Sequence, residues 1–321
     1  MNQLLARLNI DTYVLALLAA MVLATLLPAQ GQLAVVIGWV TAAGIFGLFF
    51  LHGARLSREA ILEGARNWRL HGAVAAMTFA VFPLLGIGIR ALPGIDPALG
   101  AGMLFLCLLP STVQSSIAFT SMARGNVAAA VCSASFSNFA GIFLTPLLAA
   151  LLLTGTMGGI SMDSVERIAV QLLLPFILGH LMRPLIGGWV MRQKRMLGLV
   201  DRGSILLVVY TAFAAAVTAG LWSRVSLADL GIITALSTAL LAAVLLLSRA
   251  AGRWLGFNRE DSIVLQFCGS KKSLASGVPM AGVLFSPAEV GAIILPLMIF
   301  HQIQLIVCAD LARRYGSAAQ A

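Results

Sequence analysis

The sequence predicts an all-α polytopic membrane protein, and three observations carry that prediction. Sixty per cent of the 321 residues are hydrophobic, only ten per cent are charged, and the mean hydropathy is +0.97. A soluble domain carries about a quarter charged residues. Charge-free stretches such as Thr12–Ala54, Leu70–Ile89, Pro97–Ala123, Asn126–Met162, Gly203–Ser223 and Leu230–Ser248 are each long enough to span once or twice. The stretches are continuous rather than alternating, which argues against the short strands of a closed barrel. One membrane domain over residues 1–321 takes up the chain, with nothing left for a soluble catalytic domain.

Ten transmembrane helices are expected. The first two, 12–27 and 34–53, are divided by the breaker Pro28-Ala-Gln-Gly31. The first is not a cleaved leader, since it runs on into a second span without a small-residue cleavage site ahead of a polar segment. The third falls at 69–90. Ala123-Arg-Gly-Asn126 separates the fourth, 98–122, from the fifth, 126–153. The remaining five are placed at 164–186, 203–222, 229–250, 261–285 and 289–312. Sixteen basic residues, from Arg7 and Arg55 to Arg313 and Arg314, then fall on one side, against Arg90, Arg167 and Arg224 on the other. That asymmetry puts the basic side and both termini in the cytoplasm.

The same short basic loops account for the net charge of +9. Their partners are the headgroups of the lipid bilayer, not nucleic acid. Trp39, Trp68, Trp189, Trp222 and Trp254 are read as interfacial anchors near span ends or loops. Cys107, Cys132, Cys268 and Cys308 lie inside spans without CxxC spacing, so neither a disulfide framework nor a metal site is expected. No Walker loop is present. No cofactor is expected, apart from a coupling sodium ion or proton.

Lys271 and Lys272 stand in the middle of an apolar segment, Ser262–Phe285. A helix entering the membrane near Asp261 carries Lys271 roughly 15 Å deep, close to the midplane of a core roughly 30 Å thick. An ammonium there costs at least about 2.5–3.5 kcal/mol, so it should face protein, water or a ligand. The competing reading is a register slip that lets both lysines snorkel to an interface.

Five spans per half would set a duplicated unit in the membrane inverted, with repeats at about 12–153 and 164–312. Ser115-Ser-Ile-Ala118 matches Lys272-Ser-Leu-Ala275 at an offset of 157, and Leu26-Leu-Pro28 matches Met182-Arg-Pro184 at 156. Inverted repeats with interrupted helices belong to alternating-access transporters, whose sites lie near the midplane. Both candidate broken helices are polar at that depth. The fourth has Pro110, then Ser111, Thr112, Gln114, Ser115 and Ser116; the ninth has Gly269, Ser270, Lys271, Lys272 and Ser273. Pro110 removes a backbone donor. The fifth and tenth spans add Ser133, Ser137 and Asn138, and His301, Gln302 and Gln304. Serines and threonines as packing glue are the plain alternative.

These motifs resemble a known family. Pro110–Val127 (PSTVQSSIAFTSMARGNV) and Leu144-Thr-Pro146 look like the fourth and fifth helices of the bile acid:sodium symporter family. Leu51–Glu59 (LHGARLSRE) and Gly269–Gly277 (GSKKSLASG) are similar to its YfeH-like bacterial branch. The resemblance implies ten helices in panel and core domains, crossed broken helices four and nine, and a bacterial inner-membrane location. It also implies a sodium site made by an acid and amides on the ninth helix. Here the acid position falls on Gln266, and the amide positions become Ser270 and Lys271. All twelve acids lie in loops or near span ends, so no midplane carboxylate offsets a sodium ion. Two ammonium groups would repel one.

The expected function is secondary active transport of a small organic anion, with sodium coupling in doubt. Gln114, Ser115 and Ser116 would line the crossing with Ser270, Lys271 and Lys272. A non-transporting regulatory membrane protein on the same fold is the alternative. A membrane-embedded enzyme ranks behind both, because no catalytic or metal cluster gathers at one depth.

Overall fold

The computed structural model describes residues 12–55, 67–153 and 169–318. Every regular element among them is helical. In order they are α1 (Thr12–Leu26), α2 (Gly31–Arg55), α3 (Trp68–Arg90), α4 (Pro97–Leu108), α5 (Gln114–Met122), α6 (Val127–Leu152), α7 (Leu174–Arg192), α8 (Lys194–Thr218), α9 (Leu221–Arg224), α10 (Leu227–Trp254), α11 (Arg259–Gly269), α12 (Leu274–Leu284) and α13 (Pro287–Ala318). Seven of the described helices are long and apolar enough to cross a membrane. The chain is a multi-pass membrane protein. The start of the expected sixth span, the loop 56–66 and the basic residues Arg7, Arg58, Arg66 and Arg167 lie outside the described residues.

Helices outrun the apolar stretches that announce them. The seventh span, expected from 203, belongs to a helix that starts at Lys194. Hydropathy marks what a bilayer can hold, whereas charged residues with good helix propensity continue the backbone into water. Trp39 departs from the anchor reading. It is the ninth residue of α2 rather than at a span end, and it is 75% exposed.

The described residues form two compact units. One holds 12–55, 169–226 and 278–294; the other holds 67–153, 227–277 and 295–318. In the first, α2 and α7 cross backbone to backbone. A Cβ on Gly53 would run into the Phe176 carbonyl, and one on Gly179 into the Phe50 carbonyl. Small residues permit such approach between helices in lipid, where dispersion replaces the hydrophobic drive. The Arg55 guanidinium pairs with Asp201 of α8. The Tyr210 hydroxyl donates to the Leu27 carbonyl at 2.8 Å, tying α8 to the end of α1.

The second unit contains two helix breaks. α4 ends at Leu108 and α5 starts at Gln114; α11 ends at Gly269 and α12 starts at Leu274. Both gaps fall inside the polar clusters picked out above. The unit also contains a π turn, Met77–Val81, within α3. At one end Asp261 gathers three elements, accepting from Asn126 at 3.0 Å and Asn67 at 3.4 Å. Asn126 also caps α6 through the Ala129 N–H, and Asn258 caps α11 through the Asp261 N–H. α5 closes with Arg124 at φ 58° and the Gly125 N–H on the Thr120 carbonyl, so the ARGN stretch is a helix stop.

Candidate functional site

A helix broken inside a membrane must find partners for its freed backbone groups within the protein. The fourth helix satisfies them one by one. Pro110 has no N–H, and the Leu106 carbonyl takes a longer bond from Leu109 at 3.4 Å. The Ser111 N–H, which would have served Cys107, turns to the Ser137 hydroxyl at 3.0 Å. The Leu108 carbonyl accepts from Thr145 at 2.8 Å, Pro110 from the Ser273 N–H at 2.9 Å, and Ser111 from the Asn138 amide at 2.7 Å. The carbonyls of Cys107 and Leu109 remain, and both accept from Lys272.

Lys272 supplies one ammonium to three oxygens. Its Nζ lies 2.8 Å from Cys107 O, 2.7 Å from Leu109 O and 2.8 Å from Thr78 O. Thr78 O is free because of the π turn. The Phe82 N–H reaches back to Met77 O, and the next residue is Pro83, which has no N–H. Three N–H donors thus meet three acceptors, with the Phe82 ring centre 4.1 Å away. The cation also sits at the carbonyl end of α4, where the helix dipole favours positive charge.

The ninth-helix gap is held by one amide. Gln304 Oε1 accepts from the Lys272 N–H, and Gln304 Nε2 donates to the Lys272 carbonyl, both at 2.9 Å. The same Nε2 donates to His301 Nδ1 at 2.8 Å. The Ser273 hydroxyl caps α12 through the Ser276 N–H, and Ser276 donates to Asn138 Oδ1 at 2.9 Å. The Ser116 hydroxyl donates to the Phe267 carbonyl at 3.1 Å. Threaded together, the two gaps cross, and α5 and α12 both begin at the crossing. Gln304→Leu should unclasp the Lys272 peptide and cost about 1–3 kcal/mol. A thermal melt of the purified variant checks this, and an unchanged midpoint would show that the clasp is idle.

Lys271 points elsewhere. Its Nζ is fully buried and has no hydrogen-bond partner among the described residues, and the adjacent buried Ser270 hydroxyl meets no more than the Cys308 thiol. The ring centres of Phe119 and Phe267 lie 4.1 and 5.4 Å from Nζ. Cys268 and Cys308 lie close by.

Hydrogen bonds at the crossing therefore join Ser111, Thr112, Ser115, Ser116, Ser137, Asn138, Lys272 and Ser273. Thr112 Oγ1 lies 2.7 Å from Ser115 Oγ and 3.0 Å from Ser116 Oγ. Gln114 is the exposed first residue of α5. Three expected site residues sit apart. Ser133 bonds His71 Nδ1 at 2.7 Å. Gln266 donates to the Leu245 carbonyl and accepts from the Tyr315 hydroxyl, facing α10 and α13. His301 meets the crossing through Gln304. Thr78, Thr145 and Ser276 are the residues that sequence reasoning left out, and Gln304, named with Gln302 on the tenth span, is the one of that pair that reaches the crossing.

Known proteins share this sequence pattern. A model of the SBF-like CPA transporter family matches residues 11–317. A Pseudomonas aeruginosa protein is 58% identical over 311 residues, covering 95% of this chain and 93% of its own length. YfeH of Escherichia coli K12 is 52% identical over 308 residues, with coverage of 95% and 93%. Sodium/bile acid cotransporter 7-B of Xenopus laevis is 26% identical over 317 residues, covering 95% of this chain and 91% of its own.

Proposed function

Because the chain belongs to the SBF-like CPA transporter family, we propose that it carries a small organic anion across the bacterial inner membrane by alternating access, without sodium. Membership makes it a transporter, not an enzyme. The substrate class comes from the Xenopus relative, whose name specifies bile acid. Ten crossings result when α1 and each broken pair, α4 with α5 and α11 with α12, are added to the seven long helices. Two inverted repeats, about 12–153 and 164–312, then share the crossing between them. The basic loops face the cytoplasm.

One observation supports the sodium-free reading above all: the Lys272 ammonium is seated on three carbonyls at the crossing. A fixed cation there already supplies the positive charge that a bound sodium would bring. Gln266, at the position where the resemblance expects an acid, is neutral and engaged with Leu245 and Tyr315. The N-termini of α5 and α12 add partial positive charge at the crossing, which further disfavours a sodium ion there.

The test is uptake of a radiolabelled bile acid into sealed vesicles in sodium and in choline at equal ionic strength. Equal rates are expected. A large, saturable sodium requirement would overturn the sodium-free reading, and no uptake in either salt would favour a regulatory role on the same fold.

A further inference from the structure

Lys272 leaves its neighbour without a task. A buried ammonium is ordinarily matched by acceptors, yet Lys271 Nζ has none among the described residues, and Ser270 Oγ beside it meets no more than the Cys308 thiol. Both residues are 0% exposed, so bulk solvent does not reach them. Phe119 and Phe267 offer ring faces to the cation. A ring face attracts a cation by about 0.5–2 kcal/mol but provides no lone pair for an N–H. The rest of the surroundings is apolar. Ala123, Ile263, Phe267, Cys308 and Ala312 form a buried cluster with Phe119 and Tyr315 against it. The nearby thiols of Cys268 and Cys308 are weak donors and weak acceptors, and that of Cys268 is turned to the Ala130 carbonyl at 3.8 Å. The acids nearest in sequence, Glu260 and Asp261, are two to three helical turns away at the start of α11. Thiol sulfur apart, no acceptor meets the ammonium among the described residues.

We propose that Ser270 and Lys271 form a buried receptor for a single negatively charged group, either a halide ion or a carboxylate, separate from the seat of Lys272. The ammonium provides charge and up to three N–H donors, and the serine hydroxyl provides a fourth. The apolar wall excludes water and strengthens the attraction. The carboxylate case rests on the transport reading above and names the residues that receive the substrate's charge; the halide case stands independently of it.

The experiment uses the purified full-length protein in detergent, titrated at constant ionic strength with choline chloride or choline acetate against choline gluconate. Binding to the folded state raises the unfolding midpoint saturably. Wild type should show a saturable rise with chloride, acetate or both. Lys271→Met should weaken that response at least tenfold, and Ser270→Ala should weaken it severalfold. Acetate alone would identify a carboxylate receptor, and chloride a resident inorganic ion. Bromide-soaked crystals of wild type supply an anomalous-scattering readout that needs no variant to fold.

Absence of a saturable response to either salt, or an identical response in Lys271→Met, would overturn the proposal, as would bromide density placed away from Lys271 when the halide response saturates. Saturable binding in a protein that moves no bile acid would sink the transport reading and leave the receptor intact. Robust uptake with no anion response would do the reverse.

Discussion

Lys272→Met should destabilise the purified protein by about 3–5 kcal/mol, the range for removing one partner of a buried charged cluster. Three carbonyls, those of Thr78, Cys107 and Leu109, would lose their donor in a place that water does not reach. Lys271→Met should behave in the opposite way. It removes a buried charge that nothing compensates and fills its space with a chain of similar length, so stability should hold or rise. Unfolding midpoints of the two variants, measured side by side in one detergent without added halide or acetate, decide the matter. Similar losses for both would contradict the division of labour between the adjacent lysines.

Gly179→Ala is expected to have the second large effect, although the change adds one carbon. That carbon would lie inside the contact distance of the Phe50 carbonyl, and backbone does not step aside as a flexible side chain does. α2 and α7 would have to separate along their crossing. The loss should reach or exceed the upper end of the usual overpacking range, about 1–3 kcal/mol. Gly188→Ala, on the same helix with open space around it, is the control. A melting midpoint for Gly179→Ala equal to that of Gly188→Ala would show that the helices are not locked at this point.

Much of this was legible beforehand. Hydropathy announced the membrane helices, and Pro110 with its run of serines announced the first break. The depth of the lysine pair announced a buried charge. What the letters hid has a physical cause in each case. The seat of Lys272 is made of backbone oxygens, and a carbonyl looks the same in Thr78, Cys107 or Leu109 as anywhere else. Adjacent residues in an unwound gap point in unrelated directions, so the sequence did not say which lysine would be satisfied. Gln302 and Gln304 are equivalent as letters, and only the second lies opposite the Lys272 peptide. Ser133 and Ser137 share a helix face, yet one turn separates the crossing from His71. Gly53 and Gly179 are two of 31 glycines, and nothing local marks them as a pair.

The π turn in α3 gives the chain one residue more than a regular helix would use between Met77 and Phe82. Taking one residue out of that turn would restore ordinary α-helical spacing. Pro83 would then stand four residues after Thr78 and still offer its carbonyl no N–H, but everything beyond the turn would rotate by about 100° and draw back by about 1.5 Å. The Phe82 ring, now 4.1 Å from the Lys272 ammonium, would swing off it. A charge deep in the membrane is thus accommodated by miscounting a helix far away in sequence, with no acidic residue to balance it. A single-codon deletion in α3 would be felt at the break between α11 and α12.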